Sequence, residues 1–96
     1  MGPLTVDPAA RTATREGIEL VLTGREFDLL EALARRAGEV VSRDWLLEQA
    51  WDIAYEQRSN VVDAYVRLLR AKLDRPFDRP MLHTVRGVGY RLEAPA

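Results

Sequence analysis

Apolar residues recur every three or four positions through the middle of the chain: Phe27, Leu30, Leu33, Ala34 and Ala37, then Leu46, Leu47, Ala50 and Trp51, then Val62, Val66, Leu69 and Leu73. Each set returns to one side of a helix turning about 100° per residue, so the pattern predicts three helices. The first, over about Gly24–Ala37, opens on a capping box in which Thr23 accepts from a first-turn amide and Glu26 reaches back to the Thr23 amide. Gly38 stands where a left-handed residue stops it. Ser42 is the expected N-cap of the second helix, which runs to Ala50, and Ser59 that of the third, which ends near Leu73. Ahead of these helices the pattern changes to short β-prone runs at Leu4–Asp7, Arg11–Thr14 and Ile18–Leu22, separated by turns at Pro8-Ala9-Ala10 and Glu16-Gly17. They predict a small antiparallel sheet. Val40-Val41 is long enough for a single sheet pairing. Beyond the third helix, Arg75 to Pro80 cannot continue a helix, and strands near Leu82–Val85 and Gly89–Leu92 flank a glycine-bearing turn. The expectation is one α+β domain over residues 1–96, with an N-terminal sheet (1–22), a three-helix core (24–73) and a C-terminal hairpin (82–93).

Length and composition narrow the chemistry. A chain of 96 residues buries roughly 60 to 70% of its unfolded surface and needs no staple. It has no Cys and one His, His83, which removes thiol chemistry, disulfides and zinc motifs built on Cys/His spacing. No metal or other cofactor is expected. The sequence contains no run approaching a membrane span and no signal peptide, so it reads as a soluble, unprocessed, cytoplasmic domain. No Ser-His-Asp set, phosphate-cradling loop or metal-ligand cluster is present, which argues against an enzyme.

The net charge of −1 argues at first against a nucleic-acid partner. Its distribution reverses that inference. Residues 1–58 carry 7 Arg against 11 Asp and Glu, whereas residues 59–96 carry 7 Arg and Lys against 4 Asp and Glu. The positive field therefore coincides with the third helix and the hairpin.

On the third helix, Asn60, Ala64, Arg67, Leu68 and Ala71 lie opposite the apolar stripe. Small residues beside an amide and a guanidinium suit close approach to base edges in a major groove, and Leu68 can meet a thymine methyl. The plain alternative is a solvated basic face. In the hairpin, Thr84-Val85-Arg86-Gly87-Val88-Gly89-Tyr90-Arg91 places Arg86 at the tip, where a guanidinium can enter a narrow minor groove or simply decorate a structural turn. Arg43, in the first turn of the second helix, Thr84 and the indole N–H of Trp51 are candidate phosphate donors. Tyr90 reads as packing inward and Trp45 as partly exposed packing. A basic helix beside a basic hairpin suggests a winged helix that binds DNA.

These residues, taken in order, resemble the DNA-binding effector domain of OmpR/PhoB-type response regulators. The resemblance spans nearly the whole chain. It rests on Leu22-Thr23-x-x-Glu26-Phe27-x-Leu29-Leu30, Gly38-x-Val40-Val41-Ser42-Arg43, Leu46-Leu47, Trp51, Ser59-Asn60-Val61-Val62-Asp63, Leu69-Arg70-x-Lys72-Leu73 and the Thr84–Arg91 hairpin. It implies a winged helix-turn-helix with Asn60, Asp63, Ala64, Arg67, Leu68 and Ala71 toward the major groove and Arg86 in the minor groove. Arg43, Trp51, Arg70, Lys72 and Thr84 become the phosphate set. The loop holding Asp52, Tyr55, Glu56 and Gln57 can touch RNA polymerase. The resemblance further implies a bacterial two-component regulator that docks on tandem half-sites and carries a phosphoryl-accepting receiver domain ahead of this one, so that Met1-Gly2 reads as the start of an excised fragment. The domain alone is expected to be a monomer, since no long apolar seam offers a dimer interface. Two departures stand out: Leu68 replaces a residue that is polar or basic in many members, and Asp52 replaces the usual glycine after the tryptophan. Two other roles for the same fold remain open, a protein-interaction module presenting the acidic first half and the cytoplasmic part of a membrane-anchored regulator.

Overall fold

The structure, a computed structural model, describes residues 1–51 and 60–95. Along these the chain forms β1 (Leu4–Asp7), β2 (Thr12–Arg15), β3 (Ile18–Glu19), α1 (Gly24–Arg35), β4 (Val40–Ser42), α2 (Arg43–Ala50), α3 (Asn60–Leu73), β5 (Leu82–Val85) and β6 (Gly89–Leu92). The first three strands make an antiparallel sheet in sequence order, with Val6 opposite Ala13 and Thr14 opposite Glu19. The second sheet has the order β4-β6-β5, so the strand between α1 and α2 is joined to the C-terminal hairpin.

The expected helix starts are present. Thr23 Oγ1 accepts from the Glu26 amide and Glu26 Oε1 from the Thr23 amide, completing the capping box. Ser42 Oγ accepts from the Trp45 amide at 3.0 Å. Ser59 lies outside the described residues. Helix α1 ends at Arg35 rather than near Ala37, because the amides of Arg36 and Ala37 turn to the carbonyls three residues back. Three strand boundaries also move: β2 is shifted one residue on, β3 stops at Glu19, and β4 takes in Ser42 beyond the expected Val40-Val41 pairing.

Packing follows the periodicity. The α3 stripe of Val62, Val66, Leu69 and Leu73 is fully buried in one cluster with Leu29, Leu30 and Leu33 of α1, Leu46 of α2 and Leu82 and Leu92 of the second sheet. Each such side chain contributes about 1.5 to 3 kcal/mol through burial, which fixes α3 in a three-helix core with its opposite face outward.

The hairpin glycines have different jobs. Gly87 adopts φ +78 as the third residue of a four-residue turn closed by the Val88 amide on the Val85 carbonyl at 3.0 Å. Gly89 is required by proximity, since a Cβ there would lie 1.9 Å from the Val41 carbonyl oxygen. One glycine projects Arg86 at the tip and the other lets β6 lie against β4.

Candidate nucleic-acid interface

The outward face of α3 carries Asn60, Ala64, Arg67 and Leu68 in the open, with Leu68 48% exposed. Ala71 is only half-exposed. It lines an apolar groove of about 390 Å³ with Ile18, Leu20, Val21, Pro76 and Phe77, so the open face narrows toward the helix C-terminus. At the hairpin tip Arg86 is exposed. Neither Arg67 nor Arg86 makes a side-chain hydrogen bond or ion pair among the described residues. Between α3 and the hairpin runs a groove of about 600 Å³ whose cations are Arg67, Arg70 and Arg75.

Arg70 and Thr84 meet in this groove. Arg70 Nε donates to the Leu82 carbonyl at 3.1 Å and Nη2 to Thr84 Oγ1 at 2.6 Å, and its guanidinium lies 5.6 Å from the Tyr90 ring centre. Three of the five guanidinium N–H groups remain for an anion, as does the Thr84 hydroxyl proton.

Asp63 also joins elements rather than standing free. Its Oδ2 accepts from Arg43 Nη1 at 2.9 Å, and its Oδ1 accepts from the Tyr90 hydroxyl. Arg43, Asp63 and Tyr90 therefore tie the start of α2, the first turn of α3 and β6 around a cleft of about 280 Å³ that reaches Arg86. Burial pushes the Tyr90 hydroxyl up to about 12, and the carboxylate beside it works in the same direction. Tyr90 is 6% exposed and packs inward, as its sequence position suggests.

Two members of the implied phosphate set are otherwise engaged. Lys72 Nζ donates to Glu26 Oε1 at 2.6 Å, on the α1 side of the helix, because Glu26 is 3% exposed and needs a counter-charge. Burial raises the Glu26 carboxyl, but the bonds from Lys72 and Thr23 outweigh it and hold the group below its ordinary value of 4.5. Trp51 is 8% exposed, edge-on to Tyr65 at 5.3 Å and covered by the Arg25 guanidinium at 5.4 Å, so its ring belongs to the core. Trp45 is half-buried beneath Arg36. The loop positions Asp52, Tyr55, Glu56 and Gln57 lie outside the described residues.

Arg15 has no place in the sequence-based site, yet it is 1% exposed. Period two is the one signal for it: Ala13 and Arg15 share the buried side of β2, while Thr12 is exposed and Thr14 half-buried between them. Among the described residues no cluster of His, Asp and Glu could hold a metal ion, and no helix is long and apolar enough to cross a membrane.

Known proteins are similar to this chain in sequence and in backbone fold. Residues 17–92 match the family model described as "Transcriptional regulatory protein, C terminal". The transcriptional regulatory protein TcrA of Mycobacterium tuberculosis is 54% identical over 91 residues, covering 95% of this chain and 36% of TcrA. The AdeR response-regulator DNA-binding domain, solved in complex with an intercistronic region, superposes with a TM-score of 0.88 at 28% identity, covering 99% of this chain and 98% of that one. The Klebsiella pneumoniae RstA DNA-binding domain, solved in complex with the RstA box, gives 0.81 at 35% identity, covering 99% and 94%. The chain spans less than half the length of the curated relatives it matches. With the winged-helix architecture in place and the family model running from before α1 to the end of β6, the chain belongs to the C-terminal domains of transcriptional regulatory proteins, of the OmpR/PhoB response-regulator type.

Proposed function

We propose that this domain binds double-stranded DNA, sequence-specifically and without catalysis, as the output module of a two-component response regulator. The observation that carries the reading is the pair Arg67 and Arg86, exposed on α3 and the hairpin tip and unpaired among the described residues, beside carboxylates that already hold partners. In this reading α3 enters the major groove, with Asn60, Arg67 and Leu68 at base edges and Ala64 and Ala71 allowing the backbone close. Leu68 takes a thymine methyl. Arg86 enters the minor groove, and Arg43, Arg70 and Thr84 hold phosphates. Asp63 acts through Arg43 and Tyr90, and Lys72 and Trp51 support the helix from behind. The whole protein is cytoplasmic, with a receiver domain preceding this one, tandem half-sites on the DNA, and RNA polymerase met through Asp52, Tyr55, Glu56 and Gln57. The similarity to AdeR and RstA domains solved with DNA supports this reading.

The test is titration of the domain against duplex DNA at several salt concentrations, after selecting a site from a random library. Affinity should fall with salt at a slope of roughly −0.9 per phosphate neutralised, and the selected site should outcompete random duplex. Binding that is absent, or indifferent to both salt and sequence, would favour a protein-interaction role.

A further inference from the structure

We propose that Arg15, together with Asp74, is a positioning residue for DNA recognition: it sets the wing against α3 so that Arg86 and Arg67 reach neighbouring grooves at once. The inference rests on the DNA-binding reading above. Neither residue belongs to the outward face of α3 or to the hairpin tip.

Arg15 lies on β2, yet its contacts are at the far end of α3. Its Nη1 donates to the Leu73 carbonyl at 2.8 Å and to Asp74 Oδ1 at 3.1 Å, its Nη2 donates to the Arg79 carbonyl, and its guanidinium lies 4.7 Å from the Phe77 ring centre. Asp74 continues the connection. Its Oδ1 accepts from the Met81 amide at 2.9 Å and its Oδ2 from the Leu82 amide at 3.2 Å. Leu73 is the last residue of α3 and Leu82 the first of β5, so one guanidinium and one carboxylate close the junction between recognition helix and wing. The intervening Arg75 to Pro80 form no helix or strand that could hold this angle.

Two physical points favour positioning over stability alone. A buried ion pair is a poor device for stability, since apolar groups of the same volume often do as well or better. What the pair offers is direction. The planar fork serves two carbonyls and a carboxylate at fixed angles, which a lysine ammonium cannot reproduce. Its positive charge also faces the negative end of the α3 dipole, where helix carbonyls lack partners.

The experiment is a double-mutant cycle on the selected DNA site, run below the unfolding temperature of every variant as fixed by circular dichroism. In the parent, Arg86→Ala should weaken binding about tenfold, roughly 1.4 kcal/mol. In the Arg15→Lys background the wing loses its fixed angle and the same change should cost less than about threefold. Arg43→Ala, on α2, should cost the same in both backgrounds. An undiminished loss from Arg86→Ala in the Arg15→Lys background overturns the proposal and leaves Arg15 a stabilising residue. If Arg15→Lys does not fold, the cycle is run with Asp74→Asn, where additivity has the same meaning. Absence of duplex binding by the parent would remove the DNA-binding reading and this inference together, whereas additivity with binding intact removes only this inference.

Discussion

Asp63 allows a sharp test because the resemblance turns it toward base edges whereas the structure occupies both of its oxygens. Asp63→Ala removes the acceptor of a Tyr90 hydroxyl on a residue that is 6% exposed, and an unsatisfied buried hydroxyl costs about 1 to 3 kcal/mol. The same change removes the Arg43 ion pair. With side-chain exposures of 48% and 39%, that pair contributes about 0.2 to 1 kcal/mol. Asp63→Asn keeps an oxygen for Tyr90 and loses only the charge, so its cost should stay below about 1 kcal/mol. The expected order is therefore alanine well below asparagine in stability, with the difference carried by Tyr90. Urea unfolding of Asp63→Ala, Tyr90→Phe and the double variant measures it: the alanine change should cost about 1 to 2 kcal/mol less once the hydroxyl is gone, with the urea slope unchanged. Equal costs for alanine and asparagine, or a coupling to Tyr90 below about 0.5 kcal/mol, would refute the assignment. Site selection with Asp63→Asn supplies the functional arm. A carboxylate turned inward leaves base preference unchanged, whereas a new preferred base would show that Asp63 reads DNA directly.

Tyr90 should also make the domain alkali-sensitive: with its folded value near 12 against an unfolded 10, the contribution is complete below pH 10 and is lost as pH rises toward 12. Between those values parent stability should fall by up to about 2 to 3 kcal/mol more than that of Tyr90→Phe, read by chemical unfolding at each pH. Glu26 gives the opposite sign, since its lowered folded value confers stability above pH 4.5 that is lost as pH falls through that value; Lys72→Met should reduce this acid dependence. Because Lys72 is bound to Glu26, Lys72→Met should leave the salt slope of DNA binding unchanged, and a loss of about 0.9 would return it to the phosphate set. Arg67→Ala should cost about 1 to 3 kcal/mol and relax preference at one or two base pairs, whereas Arg86→Ala should weaken binding chiefly to sites with A·T-rich flanks. Equal losses for both on specific and random DNA would reduce them to phosphate contacts.

What was legible in the sequence is what short-range chemistry determines. The α3 stripe of Val62, Val66, Leu69 and Leu73 follows from helical spacing, the Thr23 and Ser42 caps from residue type, and the hairpin bounds at residues 82–85 and 89–92 from two strand runs around glycine. Boundaries set by remote pairing were not legible. Strand β4 gains its third residue because Gly89 lets β6 come close to Val41, and α1 ends early because its last amides form tighter turns before Gly38 donates to Leu92.

The candidate site divides along the same line, since a charged side chain's role depends on which opposite charge the fold brings to it. Periodicity places Arg67 and Lys72 outside the apolar stripe, and nothing local separates them. The fold does so by placing Glu26, 46 residues away in sequence, beside the Lys72 ammonium while leaving Arg67 without a partner among the described residues. Arg15 is the extreme case: a strand arginine in the acidic half of the chain, whose hydrogen-bond acceptors lie 58 to 64 residues on. A guanidinium bound to Leu73, Asp74 and Arg79 is no longer available to DNA, and neither is the Lys72 ammonium on Glu26. Since Lys72 is one of the second half's cations, that half's positive charge overstates its free cations. Exposed guanidinium groups facing a phosphate backbone exchange loosely held counterions for phosphates, which buried and paired ones cannot do. On this ground the proposed DNA interface rests on Arg67 and Arg86, while Arg15 and Lys72 make their contacts within the fold.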